Sequence, residues 1–305
     1  MTFGAMFHHF HGGIYPQSQG SINKTQFENI IKYLKKKKKI IDPKKFRYLV
    51  STKNLKGDEV CLTFDDAIKS QINIALPILR KHKIKCFFFI YSGIFKNSYD
   101  NLEYFRDFRC HKYKNIDLFY KDFFQKFKKK FSKKFIEFEK KFTNKYLKKY
   151  NFYTLNDRKF RFCRDIILSK NQYEKLMSIL MKEKKYNKTI RKKYLFMTKS
   201  DIKRLIKENH TIGLHSESHP TNITKLNYNS QLKEYKNCKN LLEKIIKKKI
   251  WSMSHPCGKY NISTLKILKK IGVEIGFKSN NFSKKINSSL EIPREDHANL
   301  LRSAK

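Results

Sequence analysis

The chain contains few acidic residues for its size, with 26 Asp and Glu against 69 Lys and Arg in 305 residues and a formal net charge of +43. Such a charge lies outside the range usual for an enzyme that acts on a small molecule. It indicates either attraction to a polyanion, such as nucleic acid, an anionic membrane surface or an acidic glycan, or a compositional drift toward lysine. Because the lysines spread over the whole chain, no dedicated binding arm is indicated, and charge alone assigns no function.

Paired cysteines and long apolar runs are also missing. None of the six cysteines, at positions 61, 86, 110, 163, 238 and 257, belongs to a C-x-x-C pair. Several lie in apolar runs, where a free thiol behaves as a small hydrophobic group, and this predicts a reducing compartment. No apolar run approaches the roughly 20 residues of a membrane span, and the N-terminus lacks the pattern of a signal peptide. We therefore expect a cytoplasmic protein with at most peripheral membrane contact.

What the sequence does contain is the rhythm of an α/β fold. Hydrophobic residues make up 40% of the chain, enough for a sizeable core. A helix is predicted over 23–39, with an apolar face formed by Phe27, Ile30, Ile31 and Leu34. From Val60, strand-like runs such as "VCLTF", "KCFFFIYSGIF", "HTIGLHS", "KIWSMSHP" and "VEIGFKS" alternate with helical ones. Consecutive parallel strands need crossover helices, so a parallel sheet or barrel with helices outside is expected.

The rhythm is interrupted between about 97 and 195 by a lysine-rich segment with aromatic residues at positions 119, 123, 127, 131, 135, 138, 142 and 146. Steps of four residues advance about 400° around a helix, so the aromatic stripe drifts, and the segment is expected to bend or to break into two helices. It is either a basic, aromatic surface for nucleic acid or membrane, or a helical insertion with packed aromatics and solvated lysines. We favour the insertion, and predict that it serves as a lid or a cap on the substrate side.

Two groups of chemically capable residues follow predicted strands. Asp65 and Asp66 come directly after "VCLTF", and His215 and His219 stand four apart in "HTIGLHSESHP", at the end of another strand-like run. The carboxyl ends of parallel strands are where α/β folds place their sites. Adjacent carboxylates repel unless a cation is near, and neutral imidazoles are good ligands for zinc and similar ions. The alternative for the aspartates is a turn or helix N-cap.

The ordered motifs "TFDD", "HSESHP" and "WSMSHPCGKYN" resemble those of the polysaccharide deacetylase family, also called the NodB-homology domain or carbohydrate esterase family four. The resemblance covers about residues 58–100 and 195–297. It implies a distorted (β/α) barrel that hydrolyses an N-acetyl or related acyl group from a sugar. It also implies that Asp65 is the catalytic base, and that Asp66, His215 and His219 are the metal ligands.

The resemblance further implies a backbone N–H that stabilises the oxyanion, placed in the turn Pro256, Cys257 and Gly258. Two features depart from the family pattern. The arginine that commonly orients the catalytic aspartate is replaced by Ser254. Either Asp65 is oriented by another group or its basicity is differently tuned. The motif of the general acid is not matched cleanly.

For the general acid, His297 is the preferred candidate because it lies late in the chain, and its alternative is a polar loop residue. The N-terminal "FHHFH" offers His8, His9 and His11, near which a first barrel strand would end. These histidines either line the site or lie on the surface.

The sequence thus predicts a metal-dependent carbohydrate deacylase that acts on a polysaccharide or lipid-linked glycan precursor. Zinc is the expected metal, although the ligands also suit cobalt, nickel, manganese or iron. The rival hypothesis is a non-catalytic basic protein that binds nucleic acid or an anionic membrane on a deacetylase scaffold. No specific nucleic-acid partner is expected, and the sequence leaves the oligomeric state open.

Overall fold

The computed structural model describes residues 3–96, 101–148, 153–279 and 285–304. The first residues of the predicted insertion, 97–100, and its residues 149–152 lie outside this part of the chain. The chain divides into two compact units, one formed by Met1–Asp100 with Lys192–Lys305 and the other by Asn101–Arg191. The smaller unit falls within the span predicted for the insertion.

The larger unit is built on a parallel sheet. Its strands in the described residues are β1 (Gly4–Phe7), β2 (Lys39–Ile40), β3 (Glu59–Phe64), β4 (Phe87–Ile90), β5 (Thr211–Leu214), β6 (Ser252–Ser254), β7 (Ile275–Phe277) and β8 (Arg294–Asp296). They are ordered β7-β6-β5-β4-β3-β1-β8, with β2 paired to β3. A parallel bridge between Phe277 and Ile292 brings the two ends of this order together. The result is a nearly closed barrel, as the strand and helix rhythm predicts.

Helices connect the strands and form the insertion. They are α1 (Lys24–Lys37), α2 (Pro43–Ser51), α3 (Leu76–Lys81), α4 (Leu102–Lys112), α5 (Ile116–Lys130), α6 (Ser132–Lys141), α7 (Leu155–Phe162), α8 (Lys170–Glu183), α9 (Lys188–Leu195), α10 (Lys199–Lys207), α11 (Tyr228–Ile246), α12 (Ile262–Lys270) and α13 (His297–Ser303). A π-helical segment, Gln71–Ala75, leads into α3, and another, Cys163–Ile167, extends α7. The described part of the chain contains no helix that could cross a membrane.

Local sequence explains the predicted elements well. Asn23 begins α1 with a capping box, because its side chain accepts from the backbone of Gln26 and the Gln26 side chain accepts from the backbone of Asn23. The predicted apolar face is the buried face: Phe27, Ile30, Ile31 and Leu34. The lysines of the last turn suit the negative end of the helix dipole. The prediction for 23–39 is therefore confirmed to within two residues.

Aromatic residues dominate the barrel core. One buried cluster contains Phe46, Phe87, Phe89 and Phe277 together with Cys61 and aliphatic neighbours. Cys61, Cys86, Cys163 and Cys238 are buried free thiols, as expected for cysteines that act as small hydrophobic groups. Gly213 belongs to the same packing, because a Cβ there would lie 2.5 Å from the ring of Phe89.

The smaller unit has an aromatic core of its own. The drifting stripe breaks at Phe131, whose backbone (φ −137°, ψ 57°) separates α5 from α6. Phe119, Phe123 and Phe127 are fully buried, and Phe123 packs edge-on against Phe160 at 4.9 Å between ring centroids. The aromatics of this segment therefore pack into a core, while the lysines at the end of α5 are exposed. The prediction that the insertion serves as a lid stays a prediction.

Candidate active site

Three side chains from two strand ends converge at the carboxyl end of the barrel. Asp66 follows β3, and His215 and His219 follow β5. Asp66 Oδ1 lies 3.2 Å from His215 Nε2 and 3.3 Å from His219 Nε2. The two Nε2 atoms are 3.2 Å apart. A carboxylate oxygen and two imidazole nitrogens that face one point could hold a divalent metal, so the structure brings the three predicted ligands together.

The turn that carries the two histidines is held by α11. The Glu234 carboxylate accepts hydrogen bonds from the backbone N–H groups of Glu217 and Ser218, at 3.0 and 2.9 Å, and from the Ser218 hydroxyl at 2.7 Å. Ser216 and His219 have φ values of 63° and 55°, a region that non-glycine residues adopt at a cost. Glu234 therefore compensates a strained turn that aims His219 at Asp66.

The residues present fit a metal. His215 Nδ1 lies 2.8 Å from the Ser254 carbonyl oxygen, so that Nδ1 carries the proton and Nε2 presents its lone pair. Asp66 Oδ1 is buried and has no hydrogen-bond partner in the described part of the chain. A buried carboxylate oxygen without a donor would be satisfied by a cation at this point.

Asp65 is oriented by Arg294, the first residue of β8. Arg294 Nη1 donates to Asp65 Oδ1 at 2.8 Å, and Nη2 donates to Oδ2 at 2.7 Å. Ser254 donates to Oδ2 at 3.1 Å and accepts from Arg294 Nη2 at 2.7 Å. The group that the resemblance left open is therefore an arginine from the last strand, with Ser254 as a bridge.

Barrel closure sets the position of Arg294. Gly4 in β1 is the register partner of Arg294, and a Cβ at Gly4 would lie 2.7 Å from Arg294 Cγ. The guanidinium also donates to Thr63 and to the Lys278 carbonyl, so all its contacts are buried ones. Burial raises the pKa of Asp65, and the charge and hydrogen bonds of Arg294 reverse this and lower it below its usual value. Asp65 is therefore an ionised carboxylate that does not need the metal to stay charged.

The turn predicted to stabilise the oxyanion follows Ser254, which contacts both Asp65 and Arg294. Pro256, Cys257 and Gly258 form one turn of 3-10 helix directly after β6 and His255. Cys257 is exposed with φ 51°, and Gly258 has φ 63°. A Cβ at Gly258 would collide with the side chain of Ser279, so only glycine fits there.

His297 lies beside the site, in a group with His8 and Asp296 whose potential ligand atoms are all within 4.8 Å of one another. Its ring is buried, with Nδ1 at 3.3 Å from the Met6 carbonyl oxygen and Nε2 at 2.6 Å from that of Gly20. His8, directly after β1, points instead at the two aspartates, with Nε2 3.8 Å from Asp65 Oδ2 and 3.9 Å from Asp66 Oδ2. A quarter of the His8 side chain is exposed. His9 stacks on His8, and His11 bonds to Ser21 outside the cluster.

Sequence reasoning missed Arg294 and Glu234. Arg294 stands in "EIPRED", where a single arginine in a strongly basic chain carries no local signal. In the sequence, Glu234 does not differ from the other polar residues of an amphipathic helix. Only the pairing of β1 with β8 and the packing of α11 bring them to the site.

Comparison with known proteins places the chain in a family. Residues 52–155 and 167–276 match the model of the family described as polysaccharide deacetylase. No curated protein sequence is significantly similar to the chain.

Solved structures share the fold at low sequence identity. The chain is similar to a Streptococcus pyogenes deacetylase, PplD, in complex with acetate, with a TM-score of 0.57 and 15% identity over 100% of this chain and 98% of that one. IcaB from Ammonifex degensii has a TM-score of 0.57 and 13% identity over 99% and 96% of the two chains. A de-N-acetylase from Aggregatibacter actinomycetemcomitans has a TM-score of 0.53 and 12% identity over 100% and 98%. Because the family model spans well over half of the chain, the chain belongs to the polysaccharide deacetylase family.

Proposed function

We propose that the protein is a metal-dependent hydrolase that removes an N-acetyl or similar acyl group from a sugar of a polysaccharide or glycan precursor. The observation that carries the proposal is the convergence of Asp66, His215 and His219 beside a separately oriented Asp65. Zinc is the metal we propose, because one carboxylate and two imidazoles are among its common ligands. We further propose a cytoplasmic location, which the free cysteines support, and peripheral contact with anionic membranes, which the high lysine content supports.

The roles of the chain's own residues follow from their positions. Asp66, His215 and His219 would hold the metal, whose chemistry when bound is activation of water and polarisation of the acyl carbonyl. Asp65, fixed by Arg294, accepts the proton of the attacking water. The backbone N–H of Cys257 donates to the oxyanion that develops on the acyl oxygen.

The remaining step is protonation of the leaving amine. We assign it to His8 rather than to the sequence-based choice, His297. His8 Nε2 faces Asp65 and Asp66 from the partly open side, whereas both ring nitrogens of His297 face backbone carbonyl oxygens. A proton donor must reach the leaving nitrogen, and geometry decides this before pKa.

Metal analysis combined with an acyl-release assay tests the proposal. The purified protein is expected to bind one divalent ion and to release acetate from an oligomer of N-acetylglucosamine. His219→Ala should lose the ion and about a thousandfold in rate, because a metal supplies several kcal/mol to such a transition state. His111→Ala, on the insertion, is the matched control and should change neither.

A second variant separates hydrolysis from the rival hypothesis of non-catalytic polyanion binding. Asp65→Asn should abolish acyl release while leaving metal content intact. If the metal-loaded protein releases no acyl group from any amino-sugar tested and only binds DNA or anionic vesicles in a salt-sensitive manner, the rival is correct.

A further inference from the structure

A cleft lies at the end of the barrel opposite Asp65 and Asp66. It is formed where β5 and β6 begin, between the helices α2, α10 and α11. Its volume is about 470 Å³, within the ~300–1,000 Å³ of ligand sites. The side chains of its wall that matter here are Lys44, Arg47, Tyr48, Lys248, Lys249 and Trp251.

Two separate elements bring positive charge to this cleft. Lys44 and Arg47 come from α2, while Lys248 and Lys249 follow the end of α11. Arg47 is paired with Glu274, at 2.6 Å between Nε and Oε2, and Lys249 Nζ lies 4.0 Å from Glu243 Oε2.

Lys44 and Lys248 are exposed and have no ion pair in the described part of the chain. A lysine next to the end of α11 would by itself only complement the helix dipole. The positive charges of α2 line the same cleft, and the dipole of α11 does not explain them.

An aromatic surface accompanies the charge. Tyr48 is 63% exposed. Trp251 is half-buried, and the Arg47 guanidinium lies over its ring at 4.8 Å from the centroid. The open aromatic face is therefore that of Tyr48, next to unpaired lysines. A planar aromatic face beside cationic donors suits a sugar ring that carries a negative group.

We propose that this cleft binds an anionic segment of a glycan, with a carboxylate or phosphate group on Lys44 and Lys248 and a sugar ring on Tyr48. The choice of a glycan rests on the proposed function, because an enzyme that acts along a polymer gains effective concentration from a second site that holds the chain. Nucleic acid is the competing ligand class.

The sole tryptophan of the chain, Trp251, reports on this cleft directly. The test is a fluorescence titration of the full chain at low salt with tetragalacturonate as the anionic probe and maltotetraose as the neutral one. Tetragalacturonate should give a saturable change and maltotetraose none. Lys44→Gln combined with Lys248→Gln should weaken binding roughly tenfold, as expected for the loss of two exposed charge contacts. Tyr48→Ala should weaken it several-fold.

The matched control is Lys129→Gln with Lys130→Gln, two exposed lysines at the end of α5, which should change binding less than twofold. The proposal is overturned if tetragalacturonate gives no saturable response or if the control pair weakens binding as much as the cleft pair. It is also overturned if a single-stranded oligonucleotide of equal charge displaces the probe at a lower concentration. Acetyl release from an N-acetylglucosamine oligomer is measured in parallel. Normal release without probe binding refutes only the cleft, and probe binding without release refutes only the deacetylase proposal.

Discussion

The guanidinium of Arg294 holds both carboxylate oxygens of Asp65, at 2.8 Å and 2.7 Å, although the two residues are 229 positions apart in the chain. Both side chains are buried. A buried ion pair is stable only with good geometry and further hydrogen bonds, and here Thr63 and Ser254 supply them. The last strand of the barrel thus determines how the proposed base is presented.

Arg294→Gln is expected to lower kcat/KM for acyl release about a hundredfold at neutral pH and to move the acid limb of the pH profile upward. With Arg294 present, the pKa of Asp65 lies below its ordinary value of 3.8, so the base stays ionised in mild acid. Without Arg294, burial raises that pKa, and protonation inactivates the base at higher pH. The measurement is kcat/KM from pH 4 to pH 8 on an N-acetylated sugar.

Arg80→Gln is the matched control for this prediction, because Arg80 makes an exposed two-point contact with Glu208. It should leave the profile unchanged. Thermal melts of Arg294→Gln, and of Arg294→Gln combined with Asp65→Asn, separate the loss of stability from the change in the pKa of Asp65. The loss of stability expected for Arg294→Gln alone is ~3–5 kcal/mol. An unshifted acid limb in the folded Arg294→Gln protein would show that Arg294 does not tune Asp65.

Glu234→Ala should weaken metal binding about 10- to 100-fold, because the turn that positions His219 loses three hydrogen bonds. Activity should return when metal is supplied in excess, since no metal ligand is removed. Calorimetric zinc titration is the measurement, and Lys236→Gln, an exposed change on the same helix, is the control. Unchanged zinc affinity in Glu234→Ala would contradict the positioning role.

His8→Ala should lower kcat for an amide substrate by about 10²–10⁴-fold but have little effect on hydrolysis of p-nitrophenyl acetate. The phenolate of that ester leaves without a proton, so a general acid is not needed. His297→Ala should instead lower the melting temperature, because its ring contacts two backbone carbonyl groups inside the fold. If His297→Ala, rather than His8→Ala, loses amide hydrolysis selectively, the sequence-based choice is correct.

The protein should lose stability as the pH falls from 6.5 to 4 through two buried neutral histidines. Burial lowers the pKa of His210 to about 4 and that of His255 to about 4. In this window the unfolded chain binds protons that the folded chain does not, so each histidine destabilises the fold by about 2–3 kcal/mol at pH 4.

His210→Asn keeps an acceptor for the Cys86 N–H, and His255→Gln keeps a donor for the Leu290 carbonyl. Each variant should flatten the dependence of the free energy of unfolding on pH in urea titrations between pH 4 and pH 7. Lys36→Gln, an exposed change in α1, should not. Equal slopes in all four proteins would contradict the prediction.

The sequence by itself determined the elements whose signals are local. The amphipathic helix α1 lies within the span that its apolar spacing predicts, and the bend or break expected from the four-residue spacing of the aromatic stripe occurs at Phe131. The metal-ligand candidates were also readable, because Asp66, His215 and His219 each follow a strand-like run, and parallel strands bring such residues to one edge.

Tertiary structure alone decided which groups surround those ligands. Arg294 reaches Asp65 only because β8 pairs with β1 across Gly4, and Glu234 reaches the histidine turn only because α11 packs against the barrel. The sequence alone does not distinguish His8 from His297 as the proton donor. The roles we propose for them differ because one ring faces two carboxylates and the other faces two carbonyl oxygens, and barrel closure, a long-range event, sets those surroundings.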